Sequence, residues 1–308
     1  MRVRRLTFPD LPASIREYVD RGPLLASPQF ARLWNSEHGH EVYWLVERDG
    51  GPQAVMTAVE FGIRPVRRLQ AMPDGLYCHA LLLPGAELDV PAAAAAILEA
   101  MASEGYSRIF VQDFHRQSEG PQGFEVTQCE TTLIDISDPD WEPPDAKIRS
   151  EIRKAEREGI EVVPFAPEKH FQTFLHLMEQ TERRHGNLPR YSPEFFMELA
   201  GLSQVDKRVY WAHVEVDGKA AASHIYLCEG DMALNWQVYF DKEYSWLKPN
   251  QYILHDTARR LRERGITTIN LGATPGEADG LASYKEKWGG VPYRYPCYHR
   301  TSMLGRLL

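Results

Sequence analysis

The hydrophobic pattern of the chain repeats one order of elements twice. In each half, alternating apolar and polar positions predict strands that turn at an Asp-Gly pair, at 49–50 and at 217–218. A helical pattern then ends at Gly105 or Gly265, and a buried strand follows directly. This order predicts a mixed α/β fold of two tandem units. Each unit is expected to hold a mostly antiparallel sheet flanked by helices, with one helix crossing to a parallel neighbour.

A change in composition separates the halves. The stretch 137–145 is acidic and rich in proline, which is typical of a connection between domains. We therefore expect an N-terminal domain over 1–140 and a C-terminal domain over 141–308.

A basic helix is predicted directly after this connection, from 146 to 159. Its Arg149 and Arg153 stand one helical turn apart and share a face, where two guanidinium groups could grip a diphosphate or an RNA backbone. The alternative is a solvated surface helix whose arginines pair with the interspersed glutamates. Without further context, the spacing favours that alternative.

The stretch 280–290 reads Gly-Leu-Ala-Ser-Tyr-Lys-Glu-Lys-Trp-Gly-Gly and follows a strand-like run over 267–272 and a Pro/Gly loop over 273–279. Its spacing predicts a short amphipathic helix with Leu281, Tyr284 and Trp288 inward and both lysines in water. A loop-to-helix element at this place could instead present a lysine to a substrate.

Composition narrows the possible classes of protein. The 308 residues are 43% hydrophobic and 25% charged, and the net charge of −8 argues against a general nucleic-acid coat protein. Four cysteines are scattered without a C-x-x-C pair, so we expect neither a metal site nor a disulfide framework. Such cysteines are typical of a protein in a reducing compartment. The basic N-terminus lacks the apolar run of a signal peptide, and the apolar run over 91–101 is too short to cross a bilayer. We expect a cytoplasmic protein with no membrane span.

Two stretches resemble one known family. The basic helix running into the next strand (147–162) and the glycine-leucine, tyrosine-lysine, tryptophan-glycine stretch (280–290) are similar to the Fem family of tRNA-dependent aminoacyl transferases. That family uses the GNAT acyltransferase fold twice in tandem, which agrees with the repeated order of elements.

The resemblance implies transfer of an acyl or aminoacyl group to an amine, forming an amide. The expected acceptor is an amine on a small molecule or peptide, phosphorylated or not, and no tightly bound cofactor is expected. Aminoacyl-tRNA or acyl-CoA would be the co-substrate. Residues 245–252 lack the glycines with which CoA-dependent relatives hold a pyrophosphate, so we favour tRNA. The alternatives are an acyl-CoA-dependent enzyme and a non-catalytic relative that binds a phosphorylated ligand.

The resemblance assigns Lys285 to a phosphate or oxyanion. His224 is a candidate general base on a strand, although a buried structural histidine is more common. Trp236 and Tyr239 are an odd offset apart, which predicts opposite faces of a strand and favours Tyr239 for the acceptor cleft. The predicted catalytic residues are thus Lys285, Tyr239 and His224, and the predicted substrate-binding residues are Arg149, Arg153, Tyr284, Trp236 and Asn250, the last of which could also simply cap its helix.

Overall fold

The computed structural model describes residues 1–118, 120–274 and 279–306, so most of the predicted loop over 273–279 lies outside the described residues. The strands are β1 (Arg2–Leu6), β2 (Gly39–Arg48), β3 (Gly51–Phe61), β4 (Arg68–Ala71), β5 (Leu81–Leu82), β6 (Arg108–Gln112), β7 (Glu125–Asp135), β8 (Val163–Pro164), β9 (Val209–Val216), β10 (Lys219–Glu229), β11 (Met232–Phe240), β12 (Thr268–Ala273) and β13 (Val291–Thr301).

Helix boundaries follow local capping chemistry. Asp145 accepts hydrogen bonds from the first backbone N–H groups of α4, and Ser192 caps α6 in the same way. The α-helices are α1 (Ala13–Asp20), α2 (Pro28–Ala31), α3 (Val90–Ser103), α4 (Ala146–Arg157), α5 (Pro167–Arg184), α6 (Pro193–Val205), α7 (Pro249–Arg262) and α8 (Asp279–Glu286). None of the helices in the described part of the chain is long and apolar enough to cross a membrane.

Contacts divide the chain into two compact units, residues 1–129 with 294–308, and residues 130–293. Most of the last strand, from Arg294 onward, belongs to the first unit, where Cys297 to Thr301 pair antiparallel with β6. This grouping differs from the predicted division into 1–140 and 141–308, which assigned the C-terminal strand to the second domain.

The first unit has the strand order β1-β2-β3-β4-β6-β13, and β5 pairs with β3. Only the pairing of β4 with β6 is parallel among these neighbours, and α3 lies between those strands in the chain. The second unit has the order β7-β12-β11-β10-β9-β8, and α7 connects the parallel strands β11 and β12. The predicted mixed fold of two repeated units is confirmed.

A disulfide joins Cys129 to Cys297 within the first unit, whereas Cys78 and Cys228 are free and buried. The expectation of no disulfide was wrong. The two cysteines are 168 residues apart in sequence, and their Cα atoms come within 6.0 Å only because of the fold. Cysteine spacing along the chain carries no information on such a long-range pair.

In the second unit, a single apolar core fixes α4 and α7 against the sheet. Ile148, Ile152 and Ala155 form the buried face of α4, as the sequence pattern predicts. Trp288, two residues after the end of α8, is fully buried in the same core. The core thereby holds the start of α7 and the end of α8 in fixed positions beside β11 and β12.

Candidate active site

A cavity of about 590 Å³ lies in the second unit, beside the separating ends of β11 and β12. The two strands pair in parallel only from Met232–Thr268 to Leu234–Asn270. Beyond these pairs β12 stays paired with β7, where Ala273 lies opposite Thr131, and no longer pairs with β11. The first turn of α7 and one face of α8 complete the cavity wall.

The surface of the wall is largely apolar, and its charged side chains include two lysines. Among the described residues, no aspartate or glutamate lines the cavity. The apolar lining residues are Val238, Phe240, Pro249, Leu254, Leu271, Leu281 and Tyr284, and the polar ones are His185, His224, Asn235, Ser245, Lys248, Asn250, Gln251 and Lys285. This lining suits a ligand with an apolar or neutral body and a negatively charged group.

Lys285 is buried, with 3% of its surface exposed. Its ammonium group donates three hydrogen bonds, to the carbonyl oxygens of Gly272 (2.7 Å) and Ala273 (2.9 Å) and to Thr274 Oγ1 (2.9 Å). Burial lowers the pKa of Lys285 to about 8, against the attraction of Glu130. The amphipathic reading, with this lysine in water, was wrong: Lys285 faces inward to the carbonyls that end β12, whereas Leu281 is 39% exposed.

His224 and Asn250 form a polar pair at the cavity wall. The Nε2 atom of His224 lies 2.6 Å from Asn250 Oδ1, and its Nδ1 atom lies 3.2 Å from the hydroxyl of Tyr226. Burial lowers the pKa of His224 to about 4, so the ring is neutral at pH 7. With Oδ1 as the acceptor, Nε2 carries the proton and Nδ1 accepts from the tyrosine. Both ring nitrogens are therefore engaged by the protein.

The start of α7 faces the cavity. Lys248 adopts the left-handed backbone conformation, with φ 62° and ψ 39°, and Pro249 is the first helical residue. The N–H groups of Asn250 and Gln251 then fall in the first turn, where an α-helix has no internal acceptors for them. The Lys248 ammonium lies 3.1 Å from Glu151 of α4. A helix N-terminus beside a lysine favours an anionic group in the cavity.

Comparison with known proteins agrees with this geometry. Residues 145–286 match the family model described as "Acetyltransferase (GNAT) domain". The second unit therefore contains a GNAT domain. No curated protein sequence matches the chain significantly.

Solved structures show that the GNAT fold extends over the whole chain in a Fem-like, tandem arrangement. A structure of FemX matches with a TM-score of 0.70 at 15% identity, covering 100% of both chains. The C-terminal domain of a putative lysylphosphatidylglycerol synthetase from Agrobacterium fabrum matches at 0.60 and 14%, covering 94% of this chain and 91% of that one. A tandem GNAT protein from the clavulanic acid biosynthesis pathway matches at 0.54 and 13%, covering 97% and 98%.

The structure brings four of the predicted site residues together in the second unit. Lys285, His224, Asn250 and Tyr284 all line the one cavity. The Tyr284 ring also meets Trp288 in an edge-on contact, with 6.2 Å between the ring centroids. The four side chains therefore lie at one cavity, and the role of each in contacting a substrate stays a prediction.

Tyr239 and Trp236 do not line this cavity, and the expectation that they face opposite sides of β11 was wrong. Tyr239 packs on Phe196 with 6.1 Å between ring centroids, and Trp236 packs on Phe195 at 6.1 Å. Both rings thus contact α6 and lie on the same side of β11. The pairing of β10 with β11 shifts between Ile225 and Tyr226, leaving Trp236 as an extra residue. Such a bulge breaks the two-residue alternation of a strand.

The two arginines of α4 also lie outside the cavity. Arg149 Nη1 donates to the carbonyl oxygens of Pro143 and Pro144, each at 2.7 Å, and so fixes the connection that precedes the helix. Arg153 is exposed to solvent. The structure supports a structural role for Arg149, and the assignment of both residues to substrate binding stays a prediction.

Sequence reasoning missed several lining residues, above all Asn235, Lys248 and His185. Asn235 follows the last residue of β11 that pairs with β12, which no sequence motif marks. Lys248 occupies the left-handed position that glycine usually takes before a helix. The lack of glycine over 245–252 argued against an anion-binding loop before α7, whereas Lys248 itself adopts the left-handed conformation there.

Proposed function

We propose that this GNAT protein transfers an acyl or aminoacyl group from an activated, phosphate-bearing donor to an amine, forming an amide. The cavity at the separation of β11 and β12 carries the proposal. It is large enough for a small ligand, has a largely apolar surface, and presents the first turn of α7 and two lysines. Among the described residues no carboxylate lines it, although Lys248 pairs with Glu151 of α4. These features match a donor with a negatively charged handle and a reactive carbonyl group.

Lys285 is the residue to which we assign stabilisation of negative charge. A buried ammonium attracts an oxyanion or phosphate more strongly than an exposed one, because little water screens it. The three acceptors that hold Lys285 fix its position, and contact with a substrate oxygen would replace or share one of these hydrogen bonds.

His224 acts in this proposal through Asn250 and not as a general base. Both of its ring nitrogens are engaged, so it has no free lone pair for the proton of the attacking amine. Asn250 is held in one orientation at the start of α7, where it contacts the donor. The proton acceptor we propose is His185, an exposed imidazole that lines the same cavity.

In the reaction, the amine nitrogen attacks the donor carbonyl and forms the new C–N bond. The bond from this carbonyl to the carrier, an ester oxygen or a thioester sulfur, then breaks. We favour aminoacyl-tRNA as the donor because of the two Fem-like stretches and the Fem-like fold over the full chain. The expected acceptor is an amine on a small molecule or a peptide, and the expected location is the cytoplasm.

Acyl-CoA is the second candidate donor, and one observation favours it. The left-handed Lys248 and the first turn of α7 together offer N–H groups and a cation to a pyrophosphate, although the glycine loop is missing. An anion could therefore bind at the start of α7 without a glycine loop, so the missing glycines argue less strongly against CoA.

The experiment that tests the proposal is thermal unfolding and amide formation with both donors. Purified protein is incubated with a panel of acyl-CoA thioesters or with charged tRNA. A donor present at 100 times its dissociation constant adds about 2.7 kcal/mol to the free energy of unfolding, a clear shift in melting temperature. Amide formation with charged tRNA supports our preferred donor, and formation with acyl-CoA supports the second. Tight binding without turnover by either donor would identify a non-catalytic, phosphate-binding relative.

A further inference from the structure

One face of the sheet in the first unit presents aromatic and basic side chains to solvent. Side chains alternate along β6, so Arg108 and Phe110 share one face. Ile109 and Val111 point to the opposite face and are buried, with 2% and 3% of their surfaces exposed. Arg108 is exposed and Phe110 is partly exposed. The face that carries Arg108 and Phe110 is therefore open to a ligand.

Strand pairing places further side chains beside these two. His299 of β13 lies opposite Phe110, with 4.7 Å between the ring centroids. Its Nε2 atom lies 2.8 Å from the hydroxyl oxygen of Thr127 in β7. On the other side of β6, Arg68 of β4 lies opposite Arg108 and is also exposed. We call these five side chains the open face: Arg68, Arg108, Phe110, Thr127 and His299.

The two arginines of the open face lie at directly opposite positions of neighbouring strands, where like charges repel. The guanidinium carbon of Arg68 lies 5.6 Å from the ring centroid of Phe61. Arg108 donates to the carbonyl oxygen of Gly305 at 3.3 Å. Within the described residues, neither arginine forms an ion pair with a carboxylate. A bound phosphate would relieve the repulsion, because the guanidinium fork fits phosphate oxygens.

Phe110 and His299 add two flat, partly exposed rings in adjacent strands. Aromatic rings on an open sheet stack on nucleobases when these are unpaired and can turn toward the protein. An acidic peptide would use the two arginines and leave the rings without a role. A single-stranded nucleic acid uses both, with phosphates on the arginines and bases on the rings.

The net charge of −8 does not prevent such local binding. Salt screens exposed charges that are farther apart than about 8 Å at physiological ionic strength, so the side chains next to the ligand dominate. Strand alternation places one carboxylate of β7, that of Glu125, on the same face as Thr127. Since β13 lies between β7 and β6, Glu125 is two strands away from Arg108. It should weaken the binding of an anion without abolishing it.

We propose that the open face of the first unit binds single-stranded nucleic acid, with Arg68 and Arg108 on the phosphate backbone and Phe110 and His299 stacked on unpaired bases. This function goes beyond the acyl transfer proposed for the second unit and does not depend on which donor that unit uses. Single-stranded RNA and single-stranded DNA share this chemistry.

The test measures the binding of two fluorescent probes, an octamer of uridine and an octamer of thymidine, by anisotropy at several salt concentrations. Three variants alter the open face or its edge: Arg68→Gln, Phe110→Leu and Glu125→Gln. Arg2→Gln is the matched control, because Arg2 is exposed on β1, at the far end of the strand order from β13. The melting temperature of each variant shows that it folds.

Each variant has its own expected result. Phe110→Leu keeps an apolar side chain but loses stacking, so its affinity falls about tenfold. Arg68→Gln binds more weakly, and the slope of log affinity against log salt becomes shallower by about 0.7, as expected for one lost phosphate contact. Glu125→Gln binds more tightly, and Arg2→Gln binds as the unaltered protein does. The octamer with the higher affinity identifies RNA or DNA as the ligand.

Three results would overturn the inference. The unaltered protein could bind neither octamer, or Arg68→Gln could bind as tightly as Arg2→Gln. Undiminished affinity in Phe110→Leu would show that the face attracts anions of any kind, acidic peptides included, without stacking on bases. Amide formation plays no part in these measurements, so failure of the proposed function would leave their outcome unchanged.

Discussion

His224 Nε2 lies 2.6 Å from Asn250 Oδ1, which ties the middle of β10 to the first turn of α7. The histidine is fully buried and neutral, while the asparagine lines the cavity. The pair therefore connects the core of the second unit to the place where we expect the donor to bind.

Replacing Asn250 by alanine should both destabilise the protein and weaken donor binding. The substitution leaves a buried nitrogen of His224 without a partner, which costs about 1–3 kcal/mol. The melting temperature should fall by several degrees, as differential scanning calorimetry can measure. Asn187→Ala is the matched control, since Asn187 lies in an exposed loop. An Asn250→Ala protein as stable as the control would show that the pair contributes nothing.

Activity should decline as the pH rises through about 8. Burial lowers the pKa of Lys285 to about 8, so its positive charge is present below that pH and lost above it. If the charge stabilises the transition state, kcat/KM falls on the alkaline side. Lys285→Arg should retain activity at higher pH, because a guanidinium stays charged.

The exposed Lys287 provides the control for this profile. Lys287→Arg should leave the alkaline decline unchanged. If kcat/KM declined at the same pH in the unaltered protein, Lys285→Arg and Lys287→Arg, another group would cause the decline. The ammonium of Lys285 would then have no part in the mechanism.

Stability should fall as the pH falls from about 6.5 to about 4. In this range an unfolded chain protonates His224, whereas burial holds the pKa of the folded residue at about 4. The unfolded state thus binds more protons, so the free energy of unfolding decreases with falling pH, by at most about 1.4 kcal/mol per pH unit for each such group. His79 and His213 act in the same direction, because burial lowers their pKa values to about 4 and about 3.

Urea unfolding at several pH values measures this slope. His224→Gln removes one of these groups and should make the slope shallower. His213→Gln should have a similar effect, although neither variant abolishes the dependence. A slope that is the same in both variants as in the unaltered protein would place the acid sensitivity elsewhere.

The disulfide between Cys129 and Cys297 should stabilise the first unit. Cys129→Ser removes a cross-link over 168 residues, and such losses typically cost about 2–5 kcal/mol. Reduction of the unaltered protein should lower its melting temperature by a similar amount. The same reductant should leave Cys129→Ser unchanged. When the unreduced protein is unfolded and alkylated, mass spectrometry should find the alkyl label only on Cys78 and Cys228. Label on all four cysteines would show that the cross-link is absent.

Sequence patterns predict the parts of this fold that local chemistry determines. Asp145 caps α4, and Gly159 follows it with a φ of 73°, so the helix over 146–157 could be read directly from the chain. The crossing helices α3 and α7 could be read in the same way. These signals lie within a few residues of the features they specify.

The features that sequence reasoning missed depend on residues that are distant in the chain. Lys285 is buried because the end of β12 brings two carbonyl oxygens to its ammonium group. Trp236 and Tyr239 share a face because one extra residue shifts the pairing of β11 with β10. The periodicity of a helix or a strand cannot predict either the burial of Lys285 or the bulge in β11, because each depends on a neighbouring strand.

The central claim is that the cavity beside β11 and β12 binds the donor, and filling it tests this most directly. Val238 lines the cavity and is 37% exposed, so Val238→Trp should occupy the space with little effect on the core. Val205→Trp is the control, because Val205 is 82% exposed at the end of α6. The measurement is the increase in melting temperature caused by whichever donor stabilises the unaltered protein. We predict that Val238→Trp folds normally and loses this increase while Val205→Trp keeps it; an undiminished increase in Val238→Trp would contradict the account.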